Sequence, residues 1–443
     1  MPVEAQLLVV QIAVILLVAR AFGWVLGKLG QPQVVGEMIA GLVLGPSVFG
    51  LMHGGAWLHT LFPPSSMIYL NIPCQFGVIL FMFLVGLEMD PGHIRGQGRL
   101  VMATGTVGIL VPFACGAGLG WVLATNTTLA GLVGGVPDRL TLMLFMGVAM
   151  SITAFPVLAR ILTERNLHRT RLGQMAISCS AVDDVTGWCI LAFVVAVAKA
   201  RDGAGAGVGD PTARSAAFQQ AAWTVGLTAA YALVMVLVAK RLLAQFERQY
   251  ERNGQFSIGS KVLILILIMA SSLVTERIGI HAIFGAFLLG VIMPKQKAFV
   301  AELSVLFKEA TVLFLLPLFF AYTGLRTELN LLGGGAAWAL CGVIVLVAIG
   351  GKLGGVTTAA RAFGLGWTPS LKLGTLMNTR GLMELIVLNI GLDLGVLPKP
   401  LFAMMVLMAL VTTFMTTPLL QLMGKGDGML EAGAVISEEA ISE

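Results

Sequence analysis

Long apolar segments alternate with short polar ones along almost the whole chain. Many of them reach the roughly 20 residues that a helix needs to cross a bilayer, and we count thirteen in all. The pattern predicts membrane-spanning helices at about 5–27, 33–51, 69–88, 100–125, 140–159, 172–198, 217–239, 262–275, 279–293, 309–325, 335–360, 373–392 and 400–423. The eighth and ninth segments are short and nearly continuous, so the boundary between them is the least clearly marked.

Composition agrees with that pattern. The chain is 57% hydrophobic and only 12% charged, with a mean hydropathy of +0.91, far from the balance of a soluble domain. We therefore predict an all-α polytopic membrane protein. Its transmembrane domain would cover residues 1–425, and residues 426–443 would form a short, acidic cytoplasmic tail.

The basic residues indicate how the chain is oriented. Of the 28 Lys and Arg residues, 18 lie in odd-numbered loops or at the C-terminus, seven in even-numbered loops and three inside the apolar segments. Basic loops stay in the cytoplasm, so the bias predicts an N-terminus outside and a C-terminus inside a plasma (inner) membrane. An odd number of spans, such as thirteen, fits this alternation. The net charge of +5 reflects these loops, and we expect no nucleic-acid partner.

Two short motifs recur in the same order about 240 residues apart. Ala40–Gly45 resembles Gly285–Gly290, and FLVGLEMD (83–90) resembles AYTGLRTE (321–328). Both pairs are seven segments apart, and an odd offset inverts the second copy in the membrane. We therefore predict inverted repeats over about 5–198 and 262–423, joined by a connector helix at 217–239. Inverted repeats are typical of secondary transporters that work by alternating access.

Two adjacent acids, Asp183 and Asp184, lie in the middle of the sixth segment. A carboxylate at the bilayer centre costs on the order of 3 kcal/mol, which favours a functional role in a cation or proton pathway. Neighbours on a helix point about 100° apart, so the two acids face different directions and we expect them to have different roles. One can bind cations and protons in turn, and the other can pair with Lys352, which is buried in the eleventh segment. Glu37 in the second segment is isolated, and either a structural or an ionic role fits it.

Proline interrupts the fifth segment, LMLFMGVAMSITAFPVLARIL. Pro156 lacks a backbone donor and its ring opposes the carbonyl four residues earlier, so we predict a break near Ser151–Thr153. Freed carbonyls in lipid need partners, and a cavity that holds a cation supplies one. Thr153 could add a hydroxyl oxygen. An ordinary proline kink is the alternative.

The twelfth segment is interrupted at the matching position, seven segments later. Asn378, Thr379, Arg380, Gly381 and Glu384 break its apolar run. Broken helices at corresponding positions of two halves point to a transport site. Arg380 and Glu384 are four residues apart on one helical face, so we predict that they pair and support the crossing rather than bind the ion.

Two other classes of protein remain open on these residues. A cation channel would also place acids in a pore, although inverted repeats argue against it. An intramembrane aspartic protease would need two aspartates on separate helices, whereas these are consecutive. The five cysteines lie in apolar surroundings without CxxC spacing, which favours core packing over disulfides or metal ligands. We expect no cofactor and no enzymatic activity.

Four stretches together resemble the monovalent cation:proton antiporter-2 family. They are QPQVVGEMIAGLVLGP (31–46), AVDDVTGW (181–188), LPLFFAYTGLRTEL (316–329) and LMNTRGLMELIVLNIG (376–391). The last two are most similar to its plant cation/proton exchanger branch and bacterial relatives. The resemblance covers nearly the whole membrane region.

The resemblance implies the NhaA-like antiporter fold and a homodimer, each subunit with a dimerisation domain and a mobile core domain. The core domain would contain residues 100–198 and 335–423, with the fifth and twelfth spans as two crossed discontinuous helices. By motif position, Asp184 resembles the ion-binding carboxylate and Asp183 the neighbour that pairs with a lysine, here Lys352. Thr153 matches the polar position on the unwound helix.

The expected function is exchange of K⁺ or Na⁺ for protons by alternating access. The cation would be bound by oxygens of Asp184, Thr153 and water, and protons would compete for the same carboxylate. Gated potassium efflux members of the family carry Gln where this chain has Asp183, together with a C-terminal nucleotide-binding domain. That difference argues against glutathione or nucleotide gating. The choice of cation and the proton stoichiometry stay open.

Overall fold

A computed structural model describes residues 3–50, 56–88, 98–136, 138–164, 167, 170–203 and 211–424. Within these ranges the chain is helical and contains no strand, which confirms the predicted all-α class. The predicted acidic tail, 426–443, lies outside the described residues.

Each predicted apolar segment contains at least one α-helix, and four further α-helices lie mainly in predicted loops. Their bounds are α1 Val3–Lys28, α2 Gln33–Leu44, α3 Ala56–Leu61, α4 Pro64–Glu88, α5 Gly98–Thr125, α6 Thr127–Leu132, α7 Arg139–Ser151, α8 Phe155–Glu164, α9 Arg171–Gly203, α10 Pro211–Val234, α11 Lys240–Asn253, α12 Ile258–Ile278, α13 Ala282–Ile292, α14 Lys297–Ala310, α15 Leu316–Leu325, α16 Gly335–Ile349, α17 Gly355–Ala362, α18 Trp367–Met377, α19 Leu382–Asp393 and α20 Lys399–Leu422. Short π-helical segments join three consecutive pairs, at Met235–Ala239, Thr311–Leu315 and Gly350–Gly354.

Among the described residues, nine helical stretches are long and apolar enough to cross a membrane. The chain is therefore a multi-pass membrane protein. Three apolar helices are shorter, and α2, predicted to continue to residue 51, ends at Leu44 after 12 residues. At 1.5 Å per residue it is about 18 Å long, less than the hydrocarbon core. The count of thirteen spans stays a prediction.

The boundary between the eighth and ninth segments lies at a left-handed glycine. Gly279 ends α12 with φ of 105°, a conformation that side chains with a Cβ rarely adopt. Its N–H donates to the carbonyl of Glu276, and the following Ile280 donates to Thr275. These bonds close α12 before α13 begins, so the two short segments form separate helices.

The chain divides into two compact units. One unit contains Met1–Leu16, Leu61–Pro91 and Trp188–Tyr322, and the other contains Leu17–Thr60, Gly92–Gly187 and Thr323–Glu443. The second unit contains Asp183 and Asp184 together with α7, α8, α18 and α19. The predicted core and dimerisation domains stay predictions.

Glycines of the recurring motifs make close helix crossings within each unit. In the first unit, a Cβ on Gly86 would lie 2.2 Å from the Phe287 carbonyl oxygen, and one on Gly290 would lie 2.2 Å from that of Phe83. In the second unit, a Cβ on Gly324 would lie 2.2 Å from the carbonyl carbon of Gly41. The first motif of one copy therefore packs on the second motif of the other copy in both places. The inverted repeats themselves stay a prediction.

Candidate functional site

The fifth predicted span is interrupted where the sequence places Pro156. Helix α7 ends at Ser151, Ile152 is extended with φ of −75° and ψ of 136°, and α8 begins at Phe155. Pro156 is thus the second residue of α8. Its missing N–H falls in the first turn, where a helix has no internal partner to offer, so proline starts the second half-helix here.

The twelfth predicted span has a matching interruption. Helix α18 ends at Met377, and α19 begins at Leu382. In the connecting segment, Gly381 lies against α8, where a Cβ would approach the Val157 side chain to 2.8 Å. A larger residue here would require the Val157 side chain to shift.

The two interruptions bond to each other. The Ala154 N–H donates to the Thr379 carbonyl oxygen at 3.0 Å. The Thr153 hydroxyl lies 2.8 Å from the Met377 carbonyl oxygen. Each break thereby supplies partners for backbone groups that the other leaves without a helical bond, as hydrocarbon surroundings require.

Two buried cations cover the C-terminal end of α7. Arg380 donates from Nη1 to the carbonyl of Ala149 at 2.7 Å and from Nη2 to that of Met150 at 2.6 Å. Lys352 donates to the carbonyl of Ser151 at 2.5 Å. A helix C-terminus carries unpaired carbonyls and a partial negative charge, so both cations stabilise this end.

Glu384 is the counter-ion of Arg380. Glu384 lies in the first turn of α19, and its Oε2 is 3.0 Å from Arg380 Nη1. Both side chains are buried. The guanidinium thus joins the end of α7 to the start of α19. This geometry suits a structural role at the crossing.

Lys352 lies on the π-helical segment Gly350–Gly354 and is 1% exposed. Its Nζ donates to the carbonyl of Gly108 at 2.7 Å, to that of Ser151 and to Asp183 Oδ2, both at 2.5 Å. Three acceptors match the three N–H donors of an ammonium group. Lys352 is therefore placed as a charged group whose hydrogen bonds are all used.

The two aspartates have different surroundings. Asp183 Oδ2 faces Lys352 and also lies 2.7 Å from the Thr153 hydroxyl. Asp184 is equally buried, yet neither of its oxygens has a hydrogen-bond partner among the described residues. A charge buried without a partner is costly, so the Asp184 carboxylate is suited to bind a proton or a small cation.

Thr153 contacts Asp183 and not the residue it was predicted to assist. Its hydroxyl proton can be donated to Asp183 or to Met377, and no hydrogen bond joins it to Asp184 within the described residues. Asp184 and Thr153 as a ligand pair stays a prediction.

Two other predicted residues are also buried. Asn378 is buried at the end of α18, where its Nδ2 lies 3.9 Å from the Met415 sulfur. Glu37 is buried on α2 with 8% of its surface exposed. The predicted roles of both residues stay predictions.

Sequence reasoning missed several contributors. The Gly108 carbonyl and the π-helical segment that presents Lys352 leave no signal in the order of residue types. A cluster of threonines on α20 holds the connecting segment between α18 and α19. The repeat TTFMTT at 412–417 could have drawn attention, because four hydroxyls in one apolar span need partners.

Comparisons with known proteins agree on one family. The family model for the transmembrane region of sodium/hydrogen exchangers matches residues 13–422. The Na⁺/H⁺ antiporter NhaS4 of Synechocystis sp. is 39% identical over 93% of this chain and 96% of its own length. Cation/H⁺ antiporter 19 of Arabidopsis thaliana is 38% identical over 95% of this chain, and K⁺/H⁺ antiporter 1 of Saccharomyces cerevisiae is 33% identical over 93%. The chain spans only 50% and 46% of those two relatives.

A solved structure shares the fold. The sodium proton antiporter MjNhaP1 from Methanocaldococcus jannaschii superposes with a TM-score of 0.63 at 12% sequence identity, over 95% of this chain and 100% of that one.

Proposed function

The chain belongs to the sodium/hydrogen exchanger family, and from that membership we propose that it exchanges a monovalent cation, Na⁺ or K⁺, for protons across a membrane. Relatives named for each of the two cations support this class of substrate. We further propose a homodimer in the plasma membrane, with the N-terminus outside, on the resemblance of the motifs and the bias of basic loops.

The central step is competition at Asp184. With the cytoplasmic side open, a cation displaces the proton from this carboxylate and is bound by oxygen ligands and water. The second unit then changes its exposure, the cation leaves on the other side, and a proton takes its place for the return. Asp183 and Lys352 keep the break of α7 in place while Asp184 changes its ligand.

One observation carries this proposal: among the described residues neither oxygen of the Asp184 carboxylate has a hydrogen-bond partner, whereas the adjacent Asp183 pairs with Lys352 through Oδ2. Around the crossing lie three buried carboxylates, those of Asp183, Asp184 and Glu384, and two buried cations, Lys352 and Arg380. We count their charges with all five groups ionised. The excess is one negative charge. A single proton or monovalent cation restores neutrality, which is what an exchanger that carries one or the other requires.

The test is proton flux in proteoliposomes, followed with a pH-sensitive dye as Na⁺ and then K⁺ are added. We expect dequenching with at least one cation, and its loss in Asp184→Asn. Glu302→Gln, which alters a partly exposed acid that pairs with Lys261, is the matched control and should transport normally. Exchange at the wild-type rate in Asp184→Asn would refute the proposal, and single-channel conductance in planar bilayers would favour a channel instead.

Stoichiometry depends on Lys352. If it keeps all three N–H bonds through the cycle, one proton exchanges for each cation, and flux is indifferent to membrane potential. If it releases a proton when the cation binds, two protons move, and each net charge couples to about 2.3 kcal/mol per 100 mV. Exchange rates measured under imposed potentials separate these outcomes.

A further inference from the structure

We propose that Thr413 on α20 is a positioning residue for cation/proton exchange, because its hydroxyl fixes the backbone of Arg380 in the break between α18 and α19. The inference rests on the proposed function. It extends that function to a helix that contains no residue of the Asp183–Lys352 or Arg380–Glu384 pairs. Four threonines of α20 are almost completely buried: Thr412, Thr413, Thr416 and Thr417.

Thr413 serves both backbone groups of one residue. The Arg380 N–H donates to Thr413 Oγ1 at 3.2 Å. The hydroxyl proton can be donated to the Arg380 carbonyl oxygen at 2.5 Å or to the Ala409 carbonyl oxygen of its own helix at 2.7 Å. One side chain thereby accepts from the N–H of Arg380 and can also donate to its carbonyl oxygen, in a segment that lies outside both half-helices.

Thr416 adds a second contact one turn later. It donates to the Thr412 carbonyl oxygen at 3.1 Å, which leaves its lone pairs to accept from the Thr379 hydroxyl at 3.3 Å. Two successive residues of the break are thus held by the same face of α20. No water is available in hydrocarbon to take over these bonds if a hydroxyl is removed.

A short series of hydrogen bonds connects Arg380 to the residues beside the two aspartates. The Arg380 side chain binds the carbonyls of Ala149 and Met150, and the neighbouring Thr379 carbonyl accepts from Ala154. These contacts place Thr153, whose hydroxyl reaches Asp183. A shift of the Arg380 backbone would therefore move the groups beside the proposed ion-binding carboxylate.

The neighbouring threonine offers a matched control. Thr412 is as buried as Thr413, but its hydroxyl donates only within α20, to the carbonyls of Met408 at 2.9 Å and Ala409 at 3.1 Å. Replacing either threonine by valine removes one hydroxyl from the same helix. Of the two changes, Thr413→Val alone removes a described hydrogen bond to the segment between α18 and α19.

The experiment compares Thr413→Val, Thr413→Ser and Thr412→Val in the same proteoliposomes, with rates measured against cation concentration and pH. Leaving a buried backbone N–H and C=O without partners predicts a loss of exchange rate of about tenfold or more in Thr413→Val. The cation concentration for half-maximal rate and the pH profile should also shift, which a mere loss of folded protein would not cause. Thr413→Ser should restore both, and Thr412→Val should match the wild type.

If Thr413→Val does not fold, Thr413→Cys keeps a weak donor and acceptor at the same place. It should fall between the serine and valine variants in rate and half-saturation. Wild-type rate, half-saturation and pH profile in Thr413→Val or Thr413→Cys would overturn the inference while leaving the exchange itself intact. Absence of exchange in the wild-type protein would instead overturn the proposed function.

Discussion

At the scale of single residues, the pairing of Asp183 with Lys352 gives the two neighbouring aspartates different hydrogen-bond partners. Lys352 uses one donor for Asp183 and two for backbone carbonyls, so it holds three elements together through a single atom. Asp183 is then fixed by this pair and by Thr153, and Asp184 is left without a hydrogen-bond partner among the described residues. The contrast arises from neighbours and not from burial, which is equal for the two acids.

We predict that Lys352→Met destabilises the protein strongly, because it leaves the Asp183 charge buried and unpaired at a cost of about 3–5 kcal/mol. Lys352→Met combined with Asp183→Asn should recover much of that loss, since the Asp183 charge is then removed together with its partner. Recovery should be incomplete, because the carbonyls of Gly108 and Ser151 still lack their donor. Thermal unfolding of the purified variants in detergent measures each step. A double variant no more stable than Lys352→Met would show that the pair does not act as a unit.

At the scale of elements, helix crossings depend on glycine where two backbones meet. Gly324 approaches Gly41 in one unit, and Gly290 approaches Phe83 in the other. Leucine-sized side chains would separate these helices, and even a methyl group would meet backbone atoms that cannot turn aside. The recurrence of the two motifs is therefore explained by the same packing requirement at two sites.

We expect Gly324→Ala and Gly290→Ala each to lower the melting temperature and the exchange rate. Gly342 on α16 is the matched control, since a Cβ there would meet nothing within 4 Å. Because alanine favours a helix over glycine by about 0.5–1 kcal/mol, Gly342→Ala should be neutral or slightly stabilising. Equal tolerance at all three positions would contradict the close crossings.

At the scale of the whole molecule, orientation follows from charge and can be measured at two exposed positions. Gln296 precedes α14, and Gly333 follows α15, at the two ends of the helical stretch Lys297–Leu331. That stretch is long and apolar enough to cross the membrane, so we expect the two positions to lie on opposite sides. The bias of basic loops puts Gln296 in the cytoplasm.

The measurement uses a variant without its five cysteines, into which Gln296→Cys or Gly333→Cys is introduced. A maleimide that cannot cross membranes should label Gly333→Cys in intact cells, and Gln296→Cys only after the cells are opened. The reverse pattern would show that the N-terminus is inside. Labelling of both in intact cells would mean that the stretch does not span.

Cysteine packing was predicted correctly for most of these thiols but not for all. Cys74, Cys179 and Cys341 are buried and Cys115 is partly so, whereas Cys189 on α9 is exposed. Apolar neighbours in sequence could not distinguish a core face from a lipid-facing one, because both are apolar in a membrane protein. The same limit applies to the predicted role of Thr153, whose partner depends on the packing of α7 against α9.

Sequence alone determined the class, the family, the positions of the long apolar helices and the two interruptions. These features follow from local properties: hydropathy over about 20 residues, the missing N–H of proline, and charged side chains that are costly in a bilayer and therefore indicate a functional or structural role. Tertiary structure decided which acid faces a cation, which carbonyls Lys352 and Arg380 cover, and that α20 supports the break. Those contacts join residues far apart in the chain, 169 positions in the case of Asp183 and Lys352. No local pattern specifies such a pairing, because the path of the backbone through the bilayer decides which residues meet.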